Sequence, residues 1–129
     1  MKKKFILIIA SFTISAASFT QTTQINSNND LTPVAKLNSS KAILKSIDNR
    51  LWVSDGTAAG TFQLSATLTY ERSGAVLNNH FIFPGMTTAS GNELWITDGT
   101  VAGTILLKDI NPGTASSSPD DDFALLNGQ

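Results

Sequence analysis

The chain has 129 residues, no cysteine, one histidine and a net charge of −1. These values exclude a disulfide framework, a thiolate metal site and a cysteine nucleophile, and they exclude the clustered basic surface that nucleic acid or an anionic membrane requires.

The first residues read as a leader. Met1-Lys2-Lys3-Lys4 is positively charged, residues 5–10 with Phe12 and Ile14 form a short apolar run, and Ala16-Ala17-Ser18 supplies small residues. That order predicts a cleaved export signal over residues 1–20, and hence a secreted or cell-surface product. The apolar run is too short and too interrupted to anchor in a bilayer, so no membrane span is expected. Residues 21–32 follow as a run rich in Gln, Thr, Asn and Ser. Such a segment buries too little to offset its ordering entropy and is expected to be a flexible polar linker.

Beyond the linker the chain repeats itself. Leu51-Trp52-Val53-Ser54-Asp55-Gly56-Thr57-Ala58-Ala59-Gly60-Thr61 returns 43 residues later as Leu94-Trp95-Ile96-Thr97-Asp98-Gly99-Thr100-Val101-Ala102-Gly103-Thr104, with eight of eleven positions identical. A spacing of this size belongs to propeller blades and related stacked units. The pattern A-x-L-N sets the frame, starting at Ala35, Ala75 and Ala124. It divides the chain into unit one (33–74), unit two (75–122) and the start of a truncated third (123–129), where Asn127-Gly128 signals a hairpin turn.

Strands are expected at 41–47, 50–54 and 61–65, then at 74–78, 80–83, 93–97 and 104–110, and again at 123–126. Each is short, rich in β-branched or aromatic residues and bounded by turn formers. Asp48-Asn49 predicts a tight two-residue hairpin, and the matching loop of unit two is read as longer, over 86–92. Alternation places Leu51 and Val53 on one face with Trp52 on the other, and Leu94 and Ile96 opposite Trp95 in the same way. A strand with bulk on both faces calls for a sheet packed between two neighbours. The expected fold is therefore all-β: two four-stranded antiparallel propeller-blade-like repeats plus the start of a third. A solenoid or two-sheet sandwich fits the period less comfortably.

The shared phrase supplies the candidate site residues. Asp55 and Asp98 can accept backbone N–H bonds in Asx-turns, Gly56, Gly60, Gly99 and Gly103 permit unusual dihedrals, and the hydroxyls of Thr57, Thr61, Thr100 and Thr104 can close the loop. Trp52 and Trp95 are expected to pack between units, where a large aromatic buries the most area. The sharper alternative makes Asp55 and Asp98 calcium ligands. That ion wants six to eight oxygens and each loop offers one carboxylate, so a structural turn is preferred and no cofactor is expected. Asp120-Asp121-Asp122 reads as a solvated acidic run, and His80 as a strand or turn residue.

L-W-x-[ST]-D-G-T-x-A-G-T, followed in unit two by Leu107-Lys108-Asp109-Ile110-Asn111-Pro112-Gly113, resembles the ELWxxDGT (hyalin-like) repeat of large exported bacterial proteins. Glu93 completes the pattern in unit two, whereas Arg50 replaces it in unit one and Ser65-Ala66-Thr67 stands where Lys-Asp-Ile belongs. The resemblance implies β-propeller-like arrays in longer proteins and carries no catalytic residues over.

Three function classes follow. A non-catalytic secreted or cell-surface module would serve as scaffold or contact surface for protein or glycan, with self-association or further repeats covering its exposed faces. A calcium-stabilised adhesion module is the alternative. A fragment of a propeller glycosidase or lyase is the third, opposed because two units cannot build the acidic funnel such catalysis needs.

Overall fold

A computed structural model describes residues 31–119 and 123. The expected leader, most of the linker, the acidic run 120–122 and the strand at 123–126, apart from Phe123 itself, lie outside the described residues.

The described residues are all-β, in two antiparallel sheets. The first contains β1 (Thr32–Lys36), β2 (Ala42–Lys45), β3 (Leu51–Ser54) and β4 (Phe62–Gln63) in the order β1-β2-β3-β4. The second contains β5 (Thr69–Tyr70), β6 (Ala75–Leu77), β7 (His80–Thr87), β8 (Gly91–Thr97) and β9 (Ile105–Lys108), in the order β5-β7-β8-β9 with β6 also on β7. β5 and β6 share one edge of the long β7, for Thr69 and Tyr70 pair with Met86 and Gly85 while Ala75 pairs with Ile82.

Paired residues point to the same side of a sheet, so register reveals faces. In the first sheet Ala35, Ile43, Val53 and Phe62 form one cross-strand rung. In the second, Ala75, Ile82, Ile96 and Ile105 form the equivalent one. The neighbouring rungs are Leu44–Trp52–Gln63 and Phe83–Trp95–Leu106. Four strands thus recur in matching register although the hairpins between them differ in length.

The sheets pack through unlike sides. Ile43, Leu51 and Val53 join Leu37 and Leu64 of the first sheet region to Leu68, Tyr70, Phe81 and Phe83 of the second, with Trp95 and Val76 packed against them. Phe81 and Phe83 stack at 5.3 Å between ring centroids, and Tyr70 tilts against both. Each fully buried aromatic contributes on the order of 1.5–3 kcal/mol. A backbone bond from Tyr70 N–H to the Asn49 carbonyl, 2.8 Å long, ties β5 to the first sheet.

The structure departs from the sequence expectations in several places. Leu31 is buried and Thr32 opens β1, so the last two residues of the stretch read as linker belong to the folded sheet region. No strand was expected at 32–36 or 69–70, and Thr69–Tyr70, placed by sequence in unit one, pairs within the second sheet. The two-residue Asp48-Asn49 hairpin is a wider turn: Ser46 and Arg50 close it, and of its residues Asn49 has positive φ (59°). Conversely, the 86–92 loop is largely strand, because Met86, Thr87, Gly91 and Asn92 are all paired. Alternation in these polar flanks is too weak to separate strand from loop, and only pairing to a neighbour decides it.

Candidate functional site

The repeated phrase folds twice into one shape. Asp55 Oδ1 accepts from the Thr57 N–H (2.9 Å) and the Thr57 hydroxyl (2.7 Å), forming an Asx-turn directly after β3. Asp98 does the same for Thr100 after β8, at the same two distances. Thr57 Oγ1 then accepts the Gly60 N–H at 2.9 Å, and Thr100 Oγ1 accepts that of Gly103 at 2.9 Å.

The last threonine closes each loop. Thr61 Oγ1 donates to the Thr57 carbonyl (2.6 Å) and Thr104 Oγ1 to that of Thr100 (2.7 Å). A hydroxyl carries one proton, so the 2.7 Å contacts Ser54–Thr61 and Thr97–Thr104 must be donated by Ser54 and Thr97. Those two hydroxyls in turn accept from Gly56 and Gly99 N–H groups, at 3.0 and 3.1 Å. The proton bookkeeping explains why Ser and Thr exchange at this position while a hydroxyl persists.

The glycines have separate jobs. Gly56 and Gly99 sit at φ of 90° and 80°, in the left-handed region that side chains avoid. Gly60 and Gly103 are needed for space, since a Cβ there would meet the Asp55 and Asp98 carboxylates at 2.0 and 2.1 Å. Asp55, Gly56, Thr57, Gly60 and Thr61 thus form one hydrogen-bonded turn, and Asp98, Gly99, Thr100, Gly103 and Thr104 form its counterpart.

Both aspartates are held below the ordinary value of 3.8. For each the main cause is the threonine hydroxyl bond, from Thr57 and Thr100 respectively, with the backbone N–H of the same residue adding to it. Hydrogen bonds to the ionised form favour it. Among the described residues no three His, Cys, Asp or Glu side chains gather as a metal site. His80 opens β7, exposed, with Nδ1 2.9 Å from the Asn78 carbonyl.

The tryptophans occupy matching rungs but opposite surroundings. Trp95 packs against the core between the sheets. Trp52 is half-buried on the side of the first sheet turned away from the second, between Leu44 and Gln63. In both, the indole Nε1 is buried with no hydrogen-bond partner among the described residues.

Sequence reasoning missed the role of Glu93. Its buried carboxylate accepts from Ile110 N–H (2.8 Å), Ser117 N–H (2.9 Å) and Ser117 Oγ (2.7 Å). Burial is the largest single influence and raises its pKa, yet the bonds from Ser117, Ile110 and Asn111 together prevail and hold it below 4.5. Ser117 and Ser118 N–H groups also bond the Asn92 carbonyl at 3.1 Å, folding the segment after β9 back over the start of β8.

A signal for this was present in the paired departures of unit one. There Arg50 replaces the glutamate and Asp-Ile-Asn-Pro-Gly is missing too. Arg50 leaves Nη1 buried without a partner among the described residues, and the segment after β4 is organised instead by Ser65 Oγ, which accepts from Thr67 and Leu68 N–H.

Among the described residues no helix is long and apolar enough to cross a membrane. No family model, curated protein or solved structure matches the chain.

Proposed function

We propose that this chain is a non-catalytic, exported repeat module that acts at or outside the cell surface as a scaffold and contact surface for protein or glycan. The observation that carries the reading is the fate of the repeated motif. The hydroxyls and glycine N–H groups of both turns are spent within the turn, and one oxygen of each aspartate holds its threonine. A motif consumed this way builds architecture, and it leaves no nucleophile poised beside a base. The turns then present exposed Ala58, Ala59, Val101 and Ala102 as contact surface. The leader pattern Met1 to Ser18 and the resemblance to ELWxxDGT repeats support export and propeller-like stacking of the units.

The test is fractionation of cells expressing the full chain, with N-terminal sequencing of the product, followed by binding of that product to glycan and surface-protein arrays. Export with cleavage near residue 20 and saturable binding, without turnover of a polysaccharide panel, is expected. Retention in the cytoplasm or hydrolysis of any polysaccharide would overturn the reading.

A further inference from the structure

We infer that copies of this chain associate head to tail, the Ile82–Ile96–Ile105 side of the second sheet receiving the Trp52 side of the first sheet of another copy. The inference rests on the repeat reading above and adds to it the surfaces and polarity of assembly.

The interface inside the molecule is the template. There Ala35, Ile43 and Val53 of the rung lie against the side of the second sheet bearing Phe81, Phe83 and Trp95, while Phe62 at the edge of the rung stays 37% exposed. Ile43 is 0% exposed and Val53 1%. Ala75–Ile82–Ile96–Ile105 is the equivalent rung by register. It has the same apolar character, yet Ile82 and Ile96, the counterparts of Ile43 and Val53, are only half-buried, and Ile105 is 53% exposed against 37% for its counterpart Phe62.

The matching donor surface is also present once. Leu44–Trp52–Gln63 is the equivalent of Phe83–Trp95–Leu106; Leu44 is fully buried within it, while Trp52 and Gln63 are half-buried. One copy therefore displays a socket at one end and its own plug at the other. An interface between unlike patches of identical chains is heterologous, so it repeats until the rotation closes a ring or continues as a filament. Sheets joined this way satisfy strands that are bulky on both sides.

Complementary blocking variants of the full chain test this by analytical ultracentrifugation. The wild type should show concentration-dependent oligomers. Ile105→Asp blocks the socket and Trp52→Arg blocks the plug, so each alone should sediment as monomer. An equimolar mixture should form a dimer that grows no further, because each partner retains the one surface the other lacks. Ile47→Asp, at an exposed apolar site in the β2–β3 turn outside both surfaces, should associate like wild type. If Trp52→Arg lowers the melting temperature, Gln63→Lys on the same rung replaces it. A wild type that stays monomeric overturns the inference, as does a Trp52→Arg variant that still dimerises through two isoleucine sides, or a mixture that remains monomeric. Monomeric wild type that nevertheless binds its array partners would sink the assembly alone and spare the scaffold reading.

Discussion

Single hydroxyls carry the repeated turn, and the two copies act as each other's control. Thr97 is fully buried, donates to Thr104 and accepts from Gly99. Removing its hydroxyl strands the half-buried Thr104 oxygen and the buried Gly99 N–H, which costs about 1–3 kcal/mol. Thr97→Val should therefore lower stability by that amount in chemical denaturation. Thr97→Ser should cost well under half as much, because Ser54 performs the same task in the first copy at the same 2.7 Å. Equal losses for the two variants would show that the methyl group, and not the proton, is what the site requires.

At the scale of elements, one glutamate decides where a ten-residue segment lies. Glu93 Oε2 and Oε1 accept the Ile110 and Ser117 N–H groups, respectively, from opposite ends of the stretch after β9. Glu93→Gln keeps the size but replaces one acceptor oxygen with a donor facing an N–H, which leaves at least one amide unpaired. Faster hydrogen exchange at Ile110 and Ser117 is expected, with Trp95 and Phe83 amides protected as before. Uniform acceleration across β7 and β8 would mean that Glu93 supports the sheet itself. The strands were partly legible for a related reason. β3 and β8 announce themselves through Leu-Trp-[Val/Ile] alternation. β5 is two residues long and exists as strand because Met86 and Gly85 pair with it.

For the whole molecule, acid is the informative perturbant. Asp48, held by the Ser46 hydroxyl above all, joins Asp55, Asp98 and Glu93 in having a carboxyl below its ordinary value of 3.8 or 4.5. A carboxyl whose folded pKa lies below its unfolded one adds stability that is complete above the unfolded value and is lost as pH falls through the folded one. The melting temperature should be nearly flat from pH 7 to 5 and then fall below about pH 4.5. Asp55→Asn with Asp98→Asn should keep both Asx-turns and flatten the acid limb. An unchanged limb would assign acid sensitivity to Glu93 and Asp48 instead.

The residues by themselves determined the turns, since every bond of Asp-Gly-Thr-x-Ala-Gly-Thr spans seven residues or fewer and needs no distant partner. They also determined that β3 and β8 are bulky on both sides, because alternation is a local property of extended backbone. Tertiary structure alone decided which side each sheet buries: Val53 lies against the second sheet while its equivalent Ile96 faces away. It decided as well that Glu93 meets Ser117, 24 residues further along the chain. Such choices depend on what packs against an already formed surface, and equivalent repeats with equivalent sequences cannot encode two different answers locally.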